Sequence, residues 1–344
     1  MFSSNKSYEF VCNNYRDFML SDGELKAVVI GGSVSRGYAN KGCDIDILYF
    51  DQSVKYYQKR FATVENVKME LHYIPIAIFE LLYSYVQPFM VDACPVDYSR
   101  IDYSVWGEKK CPQVVKSNTA LNGILSAWRE LKKLLDGIVV YDSENWYAGV
   151  KAEYYLIPDE TKIKLIIKEV LEGSIDSINK VINIMKLYMM LKGDVYSKVY
   201  WTDYYLENQL VDIKTYVENV FLPVPLEIDQ WLLATQRRFE LLKEKHTNKK
   251  CSLCDGEILK CNIGRCANDF ISDAIRAQEN GLKIGCLLSL KRANEYIDRL
   301  AVLDEAVLPN MDEKYVQYWY GREEKATSTI KDIYRGLLGE EEVC

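Results

Sequence analysis

No run of this sequence is apolar for long enough to span a bilayer, and the opening MFSSNKSYEFVCNNYRDF has no continuous apolar core of the kind a secretory signal needs. Neither a membrane-spanning segment nor export is expected, and a cytoplasmic location is. Basic stretches are missing too. At a formal net charge of -7, the chain lacks the clustered Lys and Arg on which a general nucleic-acid binder depends. Two phosphate-binding fingerprints are also absent. G-x-G-x-x-G does not occur, and the G-x-x-x-x-G of GSVSRGYA leads into Tyr38 and Ala39, where a P-loop needs Lys and Ser or Thr. There is no internal repeat and no low-complexity tract.

What remains is the composition of an ordinary globular protein. The 344 residues are 49% hydrophobic and 27% charged, enough for two cores. Ten cysteines without an export signal read as reduced thiols. The pattern changes near residue 145. Before it come the short β-rich runs KAVVIGG, DIDILYF, NVKMELHYI and GIVVYD, and the helical TALNGILSAWRELKKLLDG, which Gly137 stops. After it the helical period dominates: DETKIKLIIKEVLEG, SIDSINKVINIMKLYMMLKG, YWTDYYLENQLVDIKTYVENVF, LEIDQWLLATQRRFELLKEK, LKIGCLLSLKRANEYIDRLAVL and a last helix around 312–337. An α/β domain over residues 1–145 and an all-helical domain over 146–344 are expected, with the linker in YDSENWYAGVKAEYYLIPDE.

The chemistry concentrates in GGSVSRGYANKGCDIDILYF. A strand has a side-chain period of two, so Asp44 and Asp46 share a face while Ile45, Ile47 and Tyr49 take the other and can meet a core. Two neighbouring carboxylates repel and raise each other's pKa. A divalent cation removes that cost, and hard oxygen ligands suit Mg²⁺. Upstream, Gly31 and Gly32 allow close backbone approach, Ser33 adds a hydroxyl, and Arg36 can reach a phosphate oxygen. Taken singly, a Gly-Gly-Ser turn or a D-x-D strand is ordinary structure; together they point to a polyphosphate and its metal.

GGS, ten intervening residues and then DID before an apolar strand resembles the signature of the nucleotidyltransferase superfamily with a DNA polymerase β-like catalytic domain. Within it, a short active-site domain followed by helices is similar to the bacterial small-molecule nucleotidyltransferases, such as aminoglycoside and lincosamide adenylyltransferases. The specific match covers residues 27–75, and a looser likeness runs on to the strand ending at Asp142. The resemblance implies a short mixed sheet, one or two Mg²⁺, and a third carboxylate on a neighbouring strand. Glu70, sharing a face with Lys68 and His72, fits that role after the short helix or loop expected in SVKYYQKRFATVEN. It would ligate metal, or act as general base on an acceptor hydroxyl. His72 reads as a strand residue beside the site. Where relatives carry Ser or Thr before the first Asp, this chain has Cys43.

The implied reaction moves a nucleoside monophosphate from an NTP, with ATP the expected donor, to a small hydroxylated acceptor, and releases pyrophosphate. Asp44 and Asp46 position the metal while Gly31, Gly32, Ser33 and Arg36 hold phosphates. An antibiotic leads as acceptor class. Protein or tRNA nucleotidylation, or a non-catalytic nucleotide-binding module, is the alternative. The aromatic stretch LYMMLKGDVYSKVYWTDYYLENQ could line an acceptor pocket, although helix packing accounts for most of it. Finally, CSLCDGEILKCNIGRC offers Cys251, Cys254, Cys261 and Cys266 in a loop between helices. These four thiols would form a structural Zn²⁺ site, or else stay free or pair as a regulatory disulfide.

Overall fold

The computed structural model describes residues 4–20, 24–37, 44–92, 96–97, 99, 101–106, 120–154, 156–245, 262–303 and 305–338. The chain divides into two compact units, Met1–Ile166 with Met190–Val195, and Ile167–Met189 with Tyr196–Cys344. No described helix is long and apolar enough to cross a membrane.

The first unit is built on a mixed five-stranded sheet of order β3-β4-β2-β1-β5. Helix α1 (Ser4–Asn14) leads to β1 (Leu25–Ile30), then the one-turn α2 (Gly32–Ser35) and β2 (Ile45–Asp51). The hairpin β3 (Gln58–Val64) and β4 (Val67–Ile74) follows, and then α3 (Ile78–Val86), α4 (Ala120–Leu135), β5 (Ile138–Asp142) and α5 (Trp146–Glu153). β1 runs antiparallel to β2 and β5, β2 is parallel to β4, and β3 is antiparallel to β4. The four β-rich runs of the sequence are thus strands. The segment expected as a short helix or loop holds a fifth, β3. A two-residue turn at Glu65 and Asn66, both at positive φ, folds it onto β4 with Val64 opposite Val67. Its pattern was hidden because this edge strand is mostly solvated: Arg60, Phe61 and Thr63 are exposed and no clean apolar alternation results.

Both faces of the sheet are covered. Val28, Ile30, Ile45, Ile47, Tyr49, Met69, Leu71 and Tyr73 form a core on one side with Val11 of α1. Tyr49 and Tyr73 donate their hydroxyls to the carbonyls of Tyr15 and Phe18, at 3.0 and 2.7 Å, and so pin the N-terminal segment. On the other side Phe50 stacks on Phe79 of α3 at 5.4 Å and meets Trp146 and Tyr147 of α5, each at 5.7 Å. Gly137 follows the end of α4, and the position demands glycine because a Cβ there would lie 2.6 Å from Val29 Cγ2. The Tyr147 hydroxyl donates to Leu134 O at 2.7 Å and ties that helix end to α5.

Asp142, the end of the last strand, caps α5. Its carboxylate accepts from the backbone N–H groups of Tyr147 and Ala148, at 2.8 and 3.3 Å. Asp142→Ala is expected to lower stability by about 1 kcal/mol, the ordinary value of such a cap, with little effect on catalysis. Thermal melting alongside an activity assay checks this.

The second unit is helical among its described residues. After α6 (Glu160–Glu172) come α7 (Ser177–Leu191), α8 (Thr202–Asn208), α9 (Lys214–Phe221), α10 (Ile228–Lys245), α11 (Asn262–Glu279), α12 (Lys283–Leu303) and α13 (Glu313–Leu338). YWTDYYLENQLVDIKTYVENVF, expected as one helix, is broken between α8 and α9. The N–H groups of Gln209 and Leu210 both turn back to Tyr205 O, and the break lets Leu210 and Ile213 bury completely. The tyrosine-rich stretch is mostly core: Tyr196, Tyr200, Trp201 and Tyr205 are buried, with Tyr196 tilted against Tyr205 and Tyr200 against Trp201. Cys266 sits inside α11 and not in a loop. Ile263, Ala267, Phe270 and Ile271 recur there at helical spacing and pack against Ala293 and Ile297 of α12. Cys43, Cys251, Cys254 and Cys261 lie outside the described residues.

Candidate active site

Asp46 lies on the face of β2 that also carries Leu48 and Phe50, while Ile45, Ile47 and Tyr49 point into the opposite core. Parallel pairing sets Asp46 directly beside Glu70 and Leu48 beside His72. In the β3–β4 pair Lys59 stands opposite His72. The period of two therefore brings Asp46, Glu70, His72 and Lys59 to one face.

The turn after β1 closes over this row. Gly31 N–H donates to Asp46 O at 2.9 Å, extending the sheet, and a Cβ on Gly31 would press on Leu48 Cδ1 at 3.1 Å. Gly32 has φ +66°, and a Cβ there would fall far inside contact distance of Asp46 Oδ2. Only glycine satisfies both demands. Ser33 follows on α2 and Arg36 ends it, both half-buried.

Each carboxylate has cationic partners. Asp46 Oδ1 accepts from His72 Nε2 and from Lys133 Nζ of α4, both at 3.0 Å. Glu70 Oε2 pairs with Lys59 Nζ at 2.6 Å and lies 3.4 Å from His72 Nε2. His72 Nδ1 meets the Tyr57 hydroxyl at 2.6 Å. Asp44, just before β2, bonds to Glu70 and feels the charges of Glu70 and Asp46. Beyond Lys133 stands Glu130, itself held by Arg129 at 2.8 Å.

The acids divide in their protonation behaviour. Burial first, then the neighbouring charges of Glu70 and Asp46, push the Asp44 carboxyl up. Burial also works upward on Asp46, but the Lys133 ammonium and the His72 bond outweigh it and hold Asp46 well below the carboxylate range. Glu70 is held at about 2: the bonds from His72 and Lys59 overcome its burial. Burial favours a neutral Lys133, yet Asp46 and Glu130 raise its pKa and keep it charged. A depressed carboxylate stabilises the fold in full above its unfolded value, 4.5 for Glu70, and loses that contribution as pH falls through about 2. Glu70→Gln is therefore expected to flatten the acid limb of the stability–pH profile across that window, measured by thermal melts.

The structure places Asp46 against Gly32 and in register with Glu70, and Asp44 beside Glu70. It adds His72, Tyr57, Lys59 and Lys133. His72 was legible, two positions past Glu70 in one strand. Lys133 was not, because adjacent Lys132 turns instead to Asp136, and only helix-on-sheet packing separates the two.

Chemically, the residues present fit a divalent cation. Asp46, Glu70 and His72 each offer one donor atom, all within 4.8 Å of one another, while Asp44 lies beside Glu70 and outside that group of three. A glycine-bordered turn next to such a cluster is chemically suited to a polyphosphate and its cation.

Residues 12–151 match the family model described as "Nucleotidyltransferase domain". No curated protein matches the sequence. Among solved structures, the crystal structure of a nucleotidyltransferase-like protein from Exiguobacterium sibiricum 255-15 shares 10% identity, over 95% of this chain and 88% of that chain, with a TM-score of 0.26.

Proposed function

We propose that this protein transfers a nucleoside monophosphate, AMP from ATP in the leading case, to a hydroxyl of a small molecule and releases pyrophosphate, with an antibiotic as the first acceptor class to test. The observation that carries the reading is the in-register pairing of Asp46 with Glu70 beneath the positive-φ Gly32, with Asp44 alongside. In this reading residues 146–344 provide the acceptor-binding part.

The acceptor oxygen attacks the α-phosphorus, the bond to the β-phosphate breaks, and pyrophosphate leaves. Asp44, Asp46 and Glu70 would hold Mg²⁺, which neutralises charge on the triphosphate as it accumulates. Ser33 and Arg36 are assigned to the phosphates. Gly31 and Gly32 let the backbone approach them, and the Gly31 N–H itself serves the sheet. Catalysis is then mainly positioning and electrostatics.

Glu70 at about 2, tied to Lys59 and His72, is better matched to holding a cation than to taking a proton near neutral pH. The two roles separate in Glu70→Gln. Loss of a ligand weakens cation affinity, whereas loss of a base lowers kcat at unchanged affinity; the first is expected. The reading as a whole is tested by pyrophosphate release from each of the four nucleoside triphosphates with Mg²⁺ and a panel of hydroxylated acceptors, antibiotics included. Nucleotide-dependent release stimulated by one acceptor supports it. Absence of release with every pair, while the nucleotide binds, would leave a binding module in its place.

A further inference from the structure

We propose that His72 completes the cation site as a nitrogen ligand, so that the site selects Mn²⁺ or a later first-row divalent metal over Mg²⁺. The inference rests on the reading of Asp46 and Glu70 as cation ligands and goes beyond it in naming the metal class.

His72 Nε2 lies 3.0 Å from Asp46 Oδ1 and 3.4 Å from Glu70 Oε2. Metal–nitrogen and metal–oxygen bonds of about 2.0–2.2 Å place neighbouring ligands about 3.0 Å apart at right angles and about 3.4 Å apart at tetrahedral angles. Both separations from the imidazole are those of ligands around one ion, and all three donors lie within 4.8 Å of one another. Glu70 and His72 project from one face of β4 and Asp46 from its parallel neighbour, so the arrangement is fixed by the sheet.

The outer contact fits a ligating imidazole as well. A metal-bound His donates its second ring N–H to an oxygen, which fixes tautomer and orientation. Here Nδ1 faces the Tyr57 hydroxyl at 2.6 Å, and Tyr57 is anchored by its own N–H to Val105 O at 2.7 Å. Without a metal Nε2–H donates to Asp46; a bound cation would displace that proton and take the Nε2 lone pair, leaving the ring proton on Nδ1 toward the Tyr57 hydroxyl. The ring is only 5% exposed, so little water competes for it. Lys59 and Lys133 touch the same carboxylate oxygens, but on flexible stems that are 29% and 25% exposed and can withdraw. The ring cannot.

Selectivity follows from ligand type. Mg²⁺ prefers oxygen and sheds its water reluctantly, so an imidazole adds little to its binding. Mn²⁺, Co²⁺ and Zn²⁺ accept imidazole readily, in the order of their general affinities.

Direct binding tests this without turnover. The full chain is titrated with Mn²⁺ alone and with Mg²⁺ alone, and the bound Mn²⁺ is examined by pulsed EPR for coupling to ¹⁴N. Wild type is expected to show that coupling. His72→Ala should lose it and bind Mn²⁺ about 10–100-fold more weakly, the usual range for a disrupted metal environment. Its Mg²⁺ affinity should move by less than about threefold. Tyr57→Phe should retain the coupling with roughly tenfold weaker Mn²⁺ binding. If His72→Ala fails to fold, the wild-type coupling and the Tyr57→Phe titration decide. Mn²⁺ binding that depends on Asp46 but shows no nitrogen coupling would overturn His72 as a ligand and leave the cation site standing. Equal weakening of both metals in His72→Ala would do the same. Failure of any cation to bind in an Asp46-dependent way would remove the inference together with the reading beneath it.

Discussion

Asp46→Asn is expected to cut nucleotide-dependent pyrophosphate release by about 10³-fold or more. An ion acting as Lewis acid is worth several kcal/mol in the transition state, and about 4 kcal/mol corresponds to that factor. The substitution keeps the shape of the side chain and deletes the charge on which His72 and Lys133 converge. Stability should fall by a smaller amount, about 1–3 kcal/mol, because the Lys133 ammonium loses one partner and retains Glu130. The two readouts separate the effects: a variant that melts near wild type and does not turn over supports a role in chemistry. Turnover at the wild-type rate in a folded Asp46→Asn protein would remove Asp46 from the mechanism.

Gly32→Ala is expected to have the second largest effect, for a different reason. Alanine at φ +66° costs about 1–2 kcal/mol for its backbone alone. The new methyl would also collide with Asp46 Oδ2, so either the turn or the carboxylate must move. A displacement of even about 1 Å in a positioned site costs on the order of 10² in rate. Gly37 supplies the control. Its φ is +77°, but a Cβ there meets nothing within 4 Å. Gly37→Ala should therefore pay only the backbone cost, about 1–2 kcal/mol in a thermal melt, with kcat preserved. Matching losses of kcat in the two variants would show that turn strain matters and proximity to Asp46 does not.

Much of the site was legible because it is local. The D-x-D alternation puts Asp46 on the side of β2 opposite Ile45, Ile47 and Tyr49, which fill the core, while Asp44 falls just before the strand. Glu70 and His72 obey the same period. The edge strand β3 escaped notice because exposure erased its alternation. Helix α11 as a whole is absent from the expected helices, and its first residues lie in the stretch expected to be a cysteine-rich loop. The break between α8 and α9 carries neither glycine nor proline; it exists because burying Leu210 and Ile213 favours the turn over a continuous helix.

By itself the sequence determined the parts: a glycine turn able to take positive φ, acids at strand period, and helices downstream, all consequences of backbone sterics and side-chain spacing within a few residues. Tertiary structure alone decided which strands lie side by side, and so that Asp46 faces Glu70 across a parallel pair. It also decided that Lys133, 87 residues away, reaches the same oxygen as His72. Such meetings depend on the packing of a helix on a sheet, whose energy is spread over many apolar contacts and leaves no mark at the residues that finally meet.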